Sequence, residues 1–152
     1  MGRIAKYAET SSLMNINITY GEETFYFNLF AETTVDENKI NHEAKVQPSA
    51  YGFIAMLHKK LIRVAKDKKA EMEKTFSKLY IQYKKQIDEE TKRPYPKETA
   101  HHMATKHFSY HQKIKEYHQA EENAGIIEAC VKSFEQRSYL IQTISANVRK
   151  ER

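Results

Sequence analysis

The hydrophobic period of this chain changes once, from two to between three and four. Over residues 13–20 apolar and polar side chains alternate, which places Met14, Ile16, Ile18 and Tyr20 on one face of a strand. The run Glu23-Thr24-Phe25-Tyr26-Phe27-Asn28-Leu29-Phe30 is aromatic and β-prone, and Gly21-Glu22 between the two runs is a short glycine turn. Residues 13–31 are therefore expected to form a β-hairpin. From residue 49 the spacing lengthens. Ile54, Leu57, Leu61, Val64, Met72, Phe76, Leu79, Tyr83 and Ile87 recur mostly three or four apart, the signature of one helical face. After a break the same spacing resumes at Met103, His107, Tyr110, Ile114, Tyr117, Ala124, Ile127, Val131, Phe134, Ile141, Ile144 and Val148.

Helix signals divide these runs. Thr34-Val35-Asp36-Glu37 carries a capping-box pattern, with Thr34 or Asp36 as N-cap, and predicts a short helix over 36–47. Pro48 disfavours helical geometry at Gln47, so a bend is expected there before a long helix over 48–90. Thr91-Lys92-Arg93-Pro94-Tyr95-Pro96-Lys97 holds two prolines and reads as a turn. A second long helix follows over 97–149, with Gly125 as a site for a kink or a close helix contact, and the charged end 149–152 is expected to fray. Residues 1–12 read as a polar, flexible leader and 13–152 as a single domain. Two long helices joined by a short turn fold back on each other. The expected fold is mainly α: a long antiparallel αα-hairpin with a short preceding helix and an N-terminal β-hairpin.

The apolar positions are wider than a single seam. Phe53, Ile62, Tyr80, Ile126, Tyr139 and Leu140 lie off the main stripe. Either the short helix and the β-hairpin cover them, or the hairpins assemble into an oligomer that buries them. The latter is the leading expectation, because a lone helical hairpin buries one face of each helix and leaves too much apolar surface for a monomer.

Charge sharpens this picture. The 152-residue chain carries +5, yet the segment between His58 and Lys85 alone holds ten Lys/Arg against three acids, or +7. The basic character thus belongs to the first long helix. Such a helix suits an acidic partner, nucleic acid or an anionic membrane, or is simply a solvated face. Lys59, Lys60, Arg63, Lys66, Lys69, Lys74 and Lys78 are the candidate DNA-binding residues; they fall on several sides of the helix, with Tyr80 and Tyr83 nearby. Cations tracking phosphates beside stacking rings would make a single-strand groove, although both tyrosines also fit core positions at helical spacing.

Other chemistry is excluded or weak. Cys130 is the only cysteine and lies in an apolar stretch, so it forms no internal disulfide and reads as a buried hydrophobe in a reducing compartment. The N-terminus has no secretory h-region, and Met1-Gly2 is followed by Lys6 where a myristoylation signal wants Ser or Thr. No apolar run approaches the ~20 residues of a membrane span, and a cytoplasmic location, host cytoplasm for a viral protein, is expected. There is no Gly-rich phosphate loop and no nucleophile elbow, and the expectation is a non-enzyme without cofactor. His107 and His111 are spaced i, i+4 with His118 two turns on, but Phe108 stands where a metalloprotease would have Glu. Glu98-Thr99-Ala100-His101 is a single Glu-x-x-His without the second copy a di-iron bundle needs, so no metal site is assigned.

Ile40-x-x-Glu43-Ala44, Tyr51 seven residues on, and a long Lys-rich helix reaching Tyr83 together resemble the UvsY family of phage recombination mediators. The tail from Gly125-Ile126-Ile127 through Phe134-Glu135-Gln136-Arg137 to Arg149 is similar to that family's closing helix, so the resemblance covers about residues 36–149. It implies a homo-oligomer, ring-shaped in that family, that binds single-stranded DNA. It also implies that the protein helps displace single-strand-binding protein and load a RecA-like recombinase, serving DNA recombination, repair and replication of a bacteriophage. Where that family has a basic Leu-Lys-Ala-Arg-Leu stretch linked to DNA binding, this chain has Phe76-Ser77-Lys78-Leu79-Tyr80, with only Lys78 charged. That departure shifts weight to Lys59, Lys60, Arg63 and Lys66. The β-hairpin has no counterpart in the family. The alternative is a structural or adaptor helical-bundle protein that binds no nucleic acid.

Overall fold

The computed structural model describes residues 2–150 and is mainly helical. In chain order the elements are α1 (Arg3–Thr10), β1 (Asn15–Tyr20), β2 (Glu23–Asn28), α2 (Leu29–Thr33), α3 (Ile40–Lys85), α4 (Lys97–Lys106) and α5 (Phe108–Lys150). The expected fraying of the charged end concerns in part residues 151 and 152, which lie outside the described residues. The chain divides into two compact units, Met1–Lys59 with Gly125–Arg152, and Lys60–Ala124. Both α3 and α5 contribute to each.

The first unit holds the β-hairpin. β1 and β2 pair antiparallel from Asn15 opposite Asn28 to Tyr20 opposite Glu23. Gly21 closes the turn at φ +62, the positive-φ first position of a two-residue hairpin turn. Alternation works as read: Ile16 and Ile18 are buried, opposite Phe27 and Phe25. The strands are shorter than expected at both outer ends. Ser11 accepts from the Leu13 amide and turns residues 12–14 into a 3-10 turn, and Asn28 accepts from the Ala31 amide and starts α2. Residues 3–10, in the stretch read as a flexible leader, form α1.

α3 is longer at its start than the sequence suggests. The expected short helix over 36–47 and long helix over 48–90 are one element, with Pro48 inside it. Asp36 caps the approach by accepting from the Asn38 amide at 3.0 Å, which fits one of the two cap positions read from sequence. A proline inside a helix removes one backbone bond, at a cost of ~3 kcal/mol. The side chain before it compensates. Gln47 is 5% exposed, and its Nε2 donates to the Phe134 carbonyl and to Ser138 Oγ, both at 2.7 Å. Arg137 donates to Gln47 Oε1 and to Glu43 Oε2. Pairing of Glu43 with Arg137 and of Gln47 with Phe134 shows α3 and α5 running antiparallel in this unit. Ile40, Ile54, Leu57, Ile127, Cys130, Phe134 and Ile141 complete the buried core there. Gly125 makes no close helix contact, since a Cβ there would meet nothing within 4 Å, and α5 continues through it.

In the second unit α3 ends at Lys85, five residues before the expected end. Asp88 diverts the backbone: its Oδ1 accepts from the Glu90 amide at 2.8 Å, and its amide donates to the Arg93 carbonyl at 2.9 Å. Lys92 takes φ 54 to complete the turn. The expected second helix over 97–149 is two helices, α4 and α5, with His107 extended between them. His107 Nδ1 accepts from the Ser109 amide at 3.1 Å and so caps α5. No proline or glycine marks this break. The unit's buried core is made of two leucines, Leu61 and Leu79, and five alanines, Ala65, Ala100, Ala104, Ala120 and Ala124.

Candidate nucleic-acid interface

Six of the seven sequence-assigned cations, Lys60, Arg63, Lys66, Lys69, Lys74 and Lys78, lie on α3 in the second unit; Lys59 belongs to the first. All seven are exposed, and none forms an ion pair or side-chain hydrogen bond among the described residues. An α-helix advances about 100° per residue. By that register Lys60, Arg63, Lys66, Lys74 and Lys78 span an arc of about 120°, on the side opposite Leu61, Ala65 and Leu79. The spread is therefore narrower than several sides of a helix, with Lys69 as the exception, about 60° beyond the arc. The strip from Lys60 to Lys78 is about 27 Å long. Asp67 is the exposed acid within the arc, and the exposed Glu73 and Glu71 flank it about 20° beyond either edge.

Lys68, also in this segment, is withdrawn from the strip. Its Nζ lies 3.3 Å from Glu71 Oε2 and 3.2 Å from Glu116 Oε2, and Lys113 Nζ lies 3.1 and 3.0 Å from the same two oxygens. Hydrogen bonds from Lys113 and then Lys68 hold the Glu71 and Glu116 carboxyls below the usual range, and the bonds to Glu116 and Glu71 raise both lysines above theirs. This alternating quartet clamps α3 to α5 in the second unit. Sequence reading missed it because its members are 48 and 42 positions apart and sit in runs that look uniformly charged.

The two tyrosines part company. Tyr83 is half-buried, with His107 at 6.2 Å between ring centroids. Tyr80 lines an open cleft of about 780 Å³ with Phe76, Lys97, Glu98, His101 and His102. The rings of Phe76 and Tyr80, one turn apart, are nearly parallel at 12° with centroids 6.4 Å apart. His101 meets Phe76 edge-on at 5.2 Å. His107 is spent on capping, and no group of three or more His, Cys, Asp or Glu among the described residues is arranged to hold a metal ion.

In the first unit several large apolar side chains face solvent, including Val46, Phe53, Met56, Tyr139 and Leu140. Phe25 of the β-hairpin packs edge-on against Phe53 at 5.3 Å, yet Phe53 stays 47% exposed. The hairpin therefore covers only part of the surplus apolar surface. No helix among the described residues is long and apolar enough to cross a membrane. No protein-family model, curated protein or solved structure matches the chain.

Proposed function

We propose that this protein is a single-stranded DNA-binding recombination mediator. It helps load a RecA-like recombinase onto DNA covered by single-strand-binding protein, and makes or breaks no covalent bond itself. The observation that carries the reading is the strip of exposed cations on α3, none of them neutralised by an ion pair among the described residues. Cations left free in this way release condensed counterions when they meet phosphates, which drives sequence-independent binding. The arrangement on one arc suits a flexible single strand, whose backbone can follow the helix.

The exposed apolar side chains of the first unit support assembly into a homo-oligomer, and the resemblance to the mediator family implies a ring. Repetition of the strip would convert weak phosphate contacts into avid binding. The same side chains also favour a second reading, an adaptor whose helices pair with another helical protein. Titration with a short oligonucleotide at low salt, followed by light scattering, separates the two. The mediator binds the strand as an oligomer, and the adaptor binds none.

A further inference from the structure

The cleft beside Phe76 and Tyr80 does not belong to the cationic strip. By helix register these two rings lie on another side of α3, shared with Lys69, the one cation that falls outside the strip's arc. Lys69 is two turns before Phe76 on that side. The cleft's far wall comes from α4, which presents Lys97, Glu98, His101 and His102. Its volume of about 780 Å³ lies inside the ~300–1,000 Å³ range of small-molecule sites. Of the lining residues named, Lys97, Glu98, His101 and His102 are exposed, so the cleft is open to a ligand that remains part of a longer chain.

The chemistry is selective. Phe76 and Tyr80 present rings at nearly one orientation, and His101 and Tyr110 hold Phe76 in place with ring centroids 5.2 Å away. Lys97 adds a cation at the start of α4. The amide of Ala100 is the first to bond back, to the Pro96 carbonyl at 3.0 Å, and Pro96 supplies no side-chain cap, which leaves preceding amides free of helical partners. Glu98, the acid in this lining, is an acceptor for an exocyclic amine and no partner for a phosphate. Flat faces, a hydrogen-bond acceptor and one cation in the lining, with Lys69 two turns away along the same side of α3 by helix register, match an unpaired base with its flanking phosphates.

The geometry points to a base-stacking subsite: an unpaired nucleobase of the bound single strand enters the cleft against Tyr80 and Phe76, with flanking phosphates at Lys97 and Lys69. This rests on the single-strand reading above and adds to it a contact with bases. The strip reads only backbone.

Fluorescence anisotropy of the full-length chain with a labelled oligocytidine strand, and with an abasic strand of equal length, tests it. Base stacking on an aromatic side chain is lost on alanine substitution, so Tyr80→Ala should weaken binding of the oligocytidine strand about tenfold. It should leave abasic binding and the salt slope unchanged. Tyr80→Phe, which keeps the ring, should bind as the parent does. His101→Ala, at an exposed position, should weaken the oligocytidine strand about threefold and serves if Tyr80→Ala disturbs the fold. Unchanged oligocytidine affinity in both variants, or equal losses on the two strands, overturns the subsite while leaving the strip intact. A parent protein that binds neither strand overturns the single-strand reading itself.

Discussion

Arg137 donates to Glu43 from 94 positions further along the chain, and the two side chains are only 6% and 14% exposed. Gln47, one turn beyond Glu43, accepts from the same guanidinium. Among the described residues Arg137 Nε is buried without a partner, and the guanidinium donates to these two acceptors. Removing one member of such a pair leaves an uncompensated buried charge, at a cost of about 3–5 kcal/mol. Arg137→Ala should lose about that much in urea unfolding, and Arg137→Ala with Glu43→Leu should recover part of it. A single variant as stable as the parent would show that the network does not tie α3 to α5.

The Lys68–Glu71–Lys113–Glu116 quartet makes a pH prediction. The carboxyls titrate below the usual 4.5, so their contribution is fully present above that value and is lost as pH falls through the lowered folded value. The lysines titrate above the usual 10.5, so theirs is present below it and lost as pH rises through the raised folded value. The stability difference between parent and Glu116→Gln should be constant across the neutral range. It should shrink only in acid below the carboxylate range or in strong alkali. A difference unchanged in acid would contradict the pairing.

Cys130 is fully buried, and burial pushes its thiol up to about 11. At neutral pH it is a thiol, not a thiolate, and is shielded from reagents. Ellman's reagent should react with it only at the rate of unfolding, and fully in denaturant. Rapid reaction of the folded protein would place Cys130 at the surface.

Local patterns were legible in the sequence where one force dominates. Alternation at Ile16 and Ile18, the glycine turn at Gly21, and the three-four spacing at Ile54, Leu57 and Leu61 each follow from burial of one face. Failures came where a side chain overrode the backbone rule. Pro48 signals a helix boundary, but Gln47 is anchored from α5, a contact 87 positions away that no local pattern carries. Nothing near His107 marks a break, because its imidazole supplies the cap. Asp88 stops α3 early through bonds that look in sequence like one more charge in a polar run. The seven candidate cations were legible as a composition anomaly, and their exposure bears only on accessibility. The cleft was not, since Phe76 reads as core spacing, Tyr80 stands out only as a ring near the cations, and α4 reaches them only in three dimensions.

Charge reversal on the strip should be graded by phosphate contacts. Each contact to a single strand contributes about −0.7 to the slope of log affinity against log salt. Lys60→Glu, Arg63→Glu and Lys66→Glu together should flatten that slope by about 2 while leaving the unfolding midpoint little changed, because all three side chains are exposed and unpaired among the described residues. An unaltered slope would remove these residues from the interface.

The central claim is that the free cations of α3 bind single-stranded DNA through its phosphates. The most direct measurement is the affinity of the parent protein for a single-stranded oligonucleotide as a function of monovalent salt. Engagement of the six strip and flanking cations of the second unit predicts a straight line with a slope of about −4 per subunit. A flat line, or no binding at low salt, would contradict it.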